Sequence, residues 1–572
     1  MKSDFQKAFI SSVERLSAWS DVLDDINVFP VADGDTGRNL KTSLTPLRYL
    51  GEDREKIVNR LLVSARGNSG NIAARFFAGF LTADSYELLP QAAKTGRDYA
   101  WQAVHNPVPG TMLTVFDALA DFLEKNYFEA SEKYILNIVD ALERAVKSTP
   151  QLLPKLKQAG VVDSGALGMY IFLEEFFKNL SKQRSQFRPI NETFNGMLAV
   201  LPSFQEETDE GYCVDMVVHF DDKPEDKIKK LTECSDNVVV IPHQDYLKIH
   251  LHTTSKNEVK HQVESLGDIV QWLDDDIGIQ INDFKQHPME GAIHIMTDAA
   301  GSVTREDSRQ LGITLLDSYI SAGDTSLPET LFSPSELYQT MRKGIKVSTS
   351  QASIFERHQY YQRVMDQYPK VLYLCVGSIY TGNYDVAMEW KQKNDPDDRF
   401  TIIDTTAASG RLGTIVLATA KHSTKTKDQS AVIKFAKRAI HKCEEYVFLD
   451  KLKYLAAGGR LSKPGAFFGD MLHVKPIISP TAEGAKKVGA VRNREGQLGF
   501  ALEKLEASFG ESASPFIMLE YSDNHGWVND TVKKSIEARY PSSEIRLQPL
   551  SLTSGVHMGP GTWGLSFLPE VV

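Results

Sequence analysis

The spacing of apolar residues changes character twice along this 572-residue chain, and those changes limit the fold more than any single motif. Up to about residue 182 the apolar positions recur every three or four residues, as in Phe5, Phe9, Val13 and Leu16. The spacing returns at Leu40, Leu44, Leu47 and Leu50, from Met112 to Leu123, from Ile135 to Val146 and from Leu167 to Leu180. That period belongs to amphipathic helices, so this part is expected to be all-α. Residues 183–204 lose the period and read as a linker. Beyond them Val214, Met216 and Val218 alternate, and Val238–Ile241 and Leu247–Leu251 are short β-type runs. These imply a small α+β module with a helix over Val259–Leu273. From Gly291 strand and helix patterns follow one another. Ala292–Met296 ends in Thr297-Asp298, Val371–Val376 in Gly377-Ser378, and Thr401–Ile403 in Asp404-Thr405. Strands that stop at small or polar residues before a helix are the βα signature of a sheet with binding loops at its carboxyl ends. Three domains are expected, over residues 1–190, 205–288 and 291–572.

Composition narrows the class. A hydrophobic share of 42% and a charged share of 24% are those of an ordinary globular protein. A net charge of −11 argues against general nucleic-acid affinity. No apolar run approaches a membrane span, and the first residues lack the apolar stretch of a signal peptide. Cys213, Cys234, Cys375 and Cys443 are widely spaced, which fits a reducing cytoplasm.

Residues 27–37, Asn-Val-Phe-Pro-Val-Ala-Asp-Gly-Asp-Thr-Gly, carry the sharpest chemistry. Asp33 and Asp35 flank Gly34, and two carboxylates this close repel unless a cation sits between them. Mg²⁺ arriving with nucleotide phosphates is the usual one. The plainer alternative is a surface Asp-Gly turn. Four Gly-containing loops each precede a helical pattern: Asp33–Gly37, Arg66–Gly70, Pro107–Thr111 and Gly160–Gly165. Helix N-termini offer unpaired amides and partial positive charge. Several converging would hold a polyphosphate, and separately they are ordinary capped starts. His250 and His252 share one strand face. They suit Zn²⁺ with Cys213 as a thiolate, or are simply two half-exposed histidines.

Asn27-Val-Phe-Pro with Asp33-Gly-Asp-Thr-Gly, Ala65-Arg-Gly-Asn-Ser-Gly70, Gly110-Thr111 and Ala159-Gly-Val-Val-Asp163 stand in order. Together they resemble the nucleotide-binding (DhaL-like) domain of the dihydroxyacetone-kinase family, in the form found in bacterial fatty acid kinases. The resemblance implies an eight-helix barrel binding ATP across one end. Asp33 and Asp35 would hold Mg²⁺. Asn27, Thr36, Gly37, Asn68, Ser69, Gly70, Thr111, Asp163 and Gly165 would surround the nucleotide. Arg38, Pro109 and Ala166-Leu167 depart from the pattern. The middle segment resembles the middle domain of the same kinases, which implies a structural zinc on Cys213, His250 and His252.

The last segment resembles the DegV family, the fatty-acid-binding partner of such kinases. The matching stretches are Ser348–Ser353, Ser378 with Thr381–Tyr384, Leu455–Ser462, His473–Ile477 and Val556–Gly561. A two-lobed α/β domain is implied, holding an acyl chain in an apolar tunnel. Ser350 and His557 would bind its carboxylate, with Ser378 and the cation Arg460 nearby. Ala299-Ala300 after Asp298 is a departure that weakens a catalytic role for that turn. The combined expectation is a cytoplasmic multidomain fatty acid kinase that makes acyl phosphate, in which Asp33, Asp35, Arg460 and His557 carry catalysis. An acyltransferase acceptor, a homodimer and peripheral membrane contact are compatible with it. The alternatives are a lipid-binding carrier with a degenerate kinase domain and a kinase for a small metabolite such as dihydroxyacetone.

Overall fold

The computed structural model describes the chain except residues 1, 51–52, 127–128, 130, 182–187, 206–210, 221–235, 266, 286–288, 324, 458–473, 482, 511–512 and 570–572. Cys234, Arg460 and His473 lie outside the described residues. Two compact units divide it, Met1–Gln286 and His287–Val572.

The first unit begins with helices α1 (Lys2–Ala18), α2 (Ser20–Asp25), α3 (Thr36–Leu44), α4 (Arg54–Ser64), α5 (Gly67–Phe80), α6 (Leu89–Ala103), α7 (Met112–Lys125), α8 (Glu132–Leu152), α9 (Pro154–Ala159) and α10 (Ser164–Leu180). The expected helical character of this segment is therefore present. The packing closes on itself: α10 lies beside α1 and α8, and the path returns through α7, α6, α5 and α3. Helix α10 is apolar around nearly its whole circumference and buried along its length, as its central place requires. Phe9, Phe76, Phe77, Phe80, Phe116, Phe172 and Phe176 are fully buried or nearly so. Phe9 meets Phe176 with ring centroids 4.8 Å apart. Gly37 lets α3 press onto α2, since a Cβ there would lie 1.9 Å from the Ser20 carbonyl oxygen.

The middle module is an antiparallel sheet of β1 (Tyr212–His219), β2 (Asp236–His243), β3 (Tyr246–Thr253) and β4 (Asp268–Asp276), in the order β2-β3-β1-β4. Val214, Met216, Val218, Leu247, Ile249 and Leu251 form an apolar core with Val259 and Val263 of the helix Lys256–Glu264. The helix expected over Val259–Leu273 thus ends early. Gly267 brings the backbone against the His219 carbonyl, 1.9 Å from where a Cβ would be, and the chain enters β4 instead.

In the second unit β5 (His294–Asp298), β6 (Ile313–Leu316), β10 (Val371–Cys375) and β11 (Phe400–Asp404) form a parallel sheet in the order β11-β10-β5-β6. A three-stranded antiparallel sheet joins β7 (Ser318–Ala322) to β8 (Thr325–Pro328) and β9 (Val347–Gln351). The other sheet is six-stranded: β12 (Glu444–Phe448), β13 (Lys475–Thr481), β14 (Gly484–Val491), β15 (Phe516–Tyr521), β16 (Glu544–Pro549) and β17 (Trp563–Leu568). Its order is β14-β13-β12-β17-β15-β16, and only β15 and β16 run parallel. The βα pattern therefore describes the first sheet and not the last.

Gly37→Ala should cost about 1–3 kcal/mol, because backbone rather than a flexible side chain blocks the added methyl. A denaturant midpoint unchanged from wild type would show that α2 and α3 separate freely.

Candidate functional site

A cleft of about 670 Å³ lies within the first unit. The helical segment lines it with Asn27, Asp33, Asp35, Thr36, Asn68, Ser69, Thr111, Asp163 and Gly165, and the middle sheet with Cys213, Asn237, His250 and His252. Backbone pairing joins the two parts, with His105 N–H donating to Val238 O at 3.1 Å. Gly37 and Gly70 are not among the lining residues. Their missing side chains serve helix packing, Gly70 against the Ser43 hydroxyl.

The acidic turn is held by Asn27. Its amide donates to Asp33 Oδ1. Its carbonyl oxygen accepts from Thr36 Oγ1 at 2.6 Å and from Ser164 Oγ at 3.1 Å. With those partners Asn27 orients Asp33 rather than presenting a free oxygen to a cation. Burial, followed by the neighbouring Asp35 carboxylate, pushes Asp33 well above the usual carboxylate range, while Arg38 pulls it back. Two adjoining carboxyl groups, one of them buried, offer the hard oxygen ligands a divalent cation takes, so the donor set fits Mg²⁺.

The helix starts at the cleft differ from expectation. Each has first-turn amides engaged by the protein itself. Asp24 Oδ1 accepts from Gly37 N at 2.7 Å and Arg38 N at 3.1 Å at the start of α3. Asp215 Oδ2 accepts from Gly67 N at 2.8 Å at α5. Thr111 Oγ1 accepts from Leu113 N at 3.4 Å at α7, and Asp163 Oδ1 from Ala166 N at 2.7 Å at α10. What remains toward the cleft on α5 is the rest of its first turn, Asn68 and Ser69. The buried Ser69 hydroxyl has no hydrogen-bond partner among the described residues.

Strand pairing sets Cys213 opposite His252 and Asp215 opposite His250, so all four share one face of β1 and β3. The ligand atoms of Cys213, His250 and His252 lie within 4.8 Å of one another, and all three residues are buried. His250 Nε2 is buried without a protein partner. A thiol, two imidazoles and an orphaned ring nitrogen fit Zn²⁺. Burial alone would raise Asp215, but Lys248 and His250 overcome it and hold the carboxyl well below its usual range. Ser164, Asp24 and Asp215 escaped the sequence reading. Asp24 and Asp215 act across 13 and 148 residues, beyond any local motif.

In the second unit, His557 sits near the end of helix Leu552–Met558, with Nε2 3.3 Å from Thr349 Oγ1. Thr349, half-buried, and Ser350, exposed, are successive on β9 and point to opposite faces. The structure therefore brings Thr349 to His557 where Ser350 was expected. Ser378 donates to Asp404 Oδ2 at 2.5 Å, which sets it beside a carboxylate. The carboxyl ends of β5 and β10, where the strand order reverses, are filled by Asp298. It accepts from Arg357 Nη1 at 2.7 Å, Tyr373 Oη at 2.8 Å, Val376 N at 2.9 Å and Asn383 Nδ2 at 2.8 Å.

Three family descriptions match successive segments. They are the DAK2 domain over residues 30–178, the FakA-like middle domain of fatty acid kinases over 209–283, and the DegV family of uncharacterised proteins over 292–570. The chain joins a DAK2 domain, a FakA-like middle domain and a DegV domain. An uncharacterised protein of Staphylococcus saprophyticus is 28% identical over 370 residues, covering 57% of this chain and 66% of its own length. One from Staphylococcus aureus (strain USA300) is 29% identical over 367 residues, covering 57% and 65%. The chain thus spans just under two thirds of these relatives. Among solved structures, a DegV family protein from Thermus thermophilus described for fatty acid binding has a TM-score of 0.45 and 22% identity, covering 49% of this chain and 99% of its own. DegV of Bacillus subtilis, described as a fatty acid binding protein, has a TM-score of 0.45 and 20% identity, with 49% and 100% covered. Among the described residues, no helix is long and apolar enough to cross a membrane.

Burial pushes the Asp163 carboxyl up to about 7, partly offset by the amides of Ala166 and Gly165. The unfolded chain titrates near 3.9, roughly, so the folded state binds the extra proton between those values. Stability of the ligand-free protein should therefore fall as pH rises from about 4 to 7, by at most about 4 kcal/mol. Asp163→Asn should flatten that slope and be the more stable protein at pH 8. Parallel unfolding curves for the two proteins across this range would contradict the assignment.

Proposed function

We propose that the protein is a fatty acid kinase. The reading rests on one observation: the same chain carries a carboxylate pair, Asp33 buried and Asp35 half-buried, in a DAK2-domain cleft and a DegV domain. A carboxylate oxygen of a fatty acid attacks the γ-phosphorus of ATP. The new O–P bond forms as the bond to the β-phosphate oxygen breaks, giving acyl phosphate and ADP. Both reactants are anionic, so the problem is charge. Mg²⁺ bound by Asp33 and Asp35 supplies neutralisation at the phosphates. Asn27 keeps Asp33 oriented through its amide, and Thr36 and Ser164 keep Asn27 oriented in turn. Ser69, Asn68 and Thr111 offer hydroxyl and amide donors to phosphate oxygens. His557 and Thr349 bind the fatty acid carboxylate. The Cys213–His250–His252 group holds Zn²⁺. Positioning and charge stabilisation carry the rate with no covalent enzyme intermediate. The product suits an acyltransferase acceptor in phospholipid synthesis, and transfer between two chains would favour a homodimer in the cytoplasm.

Incubation with ATP, Mg²⁺ and oleate, with hydroxylamine as trap, should yield acyl hydroxamate and ADP. Lipid bound without ADP release would instead mark a carrier, and turnover only with a polyol would mark a small-metabolite kinase. Asp33→Ala should lower turnover at least about a hundredfold and leave oleate affinity unchanged. Loss of oleate binding in that variant would break the division of labour between the domains.

His557→Ala should reduce acyl phosphate formation at least about tenfold with ATP affinity unaltered. A rate equal to wild type would remove His557 from the substrate site.

A further inference from the structure

One side chain joins the two halves of the cleft wall. Asp215 is buried and divides its two oxygens between neighbours from different parts of the unit. Oδ2 accepts from Gly67 N at 2.8 Å and lies 3.5 Å from His250 Nδ1. Oδ1 accepts from Asn71 Nδ2 at 2.9 Å and lies 3.5 Å from Lys248 Nζ. The oxygen that caps the first turn of α5 is therefore also the one beside a candidate metal ligand. Asn71 is fully buried and donates to Gly67 O at 2.7 Å as well, so the turn and Asp215 are braced together.

We propose that Asp215 is a positioning residue through which a divalent cation on Cys213, His250 and His252 and a nucleotide at the first turn of α5 bind cooperatively. The inference rests on the reading of the cleft as a nucleotide site and of that group as a metal site. Any adjustment of His250 that serves a cation acts on the same oxygen that holds Gly67, and hence on Asn68 and Ser69 beside it. The sign follows from charge. Exchanging the Cys213 thiol proton for Zn²⁺ adds net positive charge to the wall of a cleft that receives an anion, so each ligand tightens the other. Linkage makes the factor the same in both directions.

The test uses the full-length protein. Zn²⁺ affinity is measured by competition with a chromogenic chelator, with and without Mg·ADP, and Mg·ADP affinity with and without Zn²⁺. In wild type each ligand should tighten the other by at least about fivefold. Asp215→Asn should bring that factor to about one, and Asn71→Ala should at least halve it while leaving nucleotide-free Zn²⁺ affinity at the wild-type value. General destabilisation would weaken both affinities without changing their ratio, so the factor separates positioning from mere structure. If Asp215→Asn fails to fold with Lys248 unpaired, Asn71→Ala decides alone. Wild-type protein that binds both ligands with no mutual effect would overturn the inference and leave the kinase reading standing. Full coupling in Asn71→Ala would overturn it too. Failure of wild type to bind Mg·ADP would overturn both.

Discussion

Four helices begin at one cleft, and their first-turn amides need partners once buried. This chain supplies them mainly with aspartates: Asp24 at α3, Asp163 at α10 and Asp215 at α5. Each cap rigidifies the turn that lines the cleft, and Asp215, held ionised by Lys248 and His250, also suits the positive end of its helix. With Asp33 and Asp35 they gather acidic groups at one end of the helical segment. Arg38 and Lys248 offset part of it, Arg38 acting on Asp24, Asp33 and Asp35 together, so one cation faces three carboxyl groups there. A divalent cation with a nucleotide would complete the balance that the protein leaves open.

The capping also defines what the cleft can grip. A helix start whose leading amide is already taken cannot also cradle a phosphate with it. The donors that remain are the unpartnered Ser69 hydroxyl and the rest of the α5 turn. Side-chain donors on braced helices are held at fixed points, which suits a reaction driven by placement more than by covalent chemistry. In the second unit the same kind of internal pairing closes a different crevice. Open parallel sheets bind ligands where strand order reverses, but here Asp298, Arg357, Tyr373 and Asn383 fill that place with a buried network. His557 with Thr349, the pair proposed for the carboxylate, sits instead at β9 of the three-stranded sheet.

Period and punctuation made much of this legible in the sequence. Helices α3, α5 and α10 start within the Gly-containing stretches and α7 directly after one, because turn residues and caps act locally. The alternation of Val214, Met216 and Val218 marked the buried face of β1. Strand pairing sets Cys213 and Asp215 on the other face. Residues whose partners are far along the chain stayed hidden. Nothing near Asp215 marks it as the cap of a helix 148 residues earlier. Helix and strand were confused at Leu273 because a few apolar residues fit either period, and Gly267 decided the matter through a contact with His219. At β9 the motif was visible, but which of two adjacent hydroxyls meets His557 depends on strand phase, which motif matching ignores.

The middle sheet is therefore more than a support for the helices. Its apolar face is taken up by its own core, so the opposite face is free to be polar, and that face carries every one of Cys213, Asp215, Lys248, His250 and His252. A sheet that merely propped the helical segment would bury apolar side chains against it. Burying a thiol, two imidazoles, a carboxylate and an ammonium instead is costly unless they partner one another or a ligand. Asp215 meets that requirement for the α5 turn and pairs its charge with Lys248 at 3.5 Å, while Lys248 Nζ and His250 Nε2 are buried without a hydrogen-bond partner among the described residues. One buried carboxylate thus ties the middle sheet to the first turn of α5, so the stability of the sheet and the geometry of the cleft wall rest on the same charge.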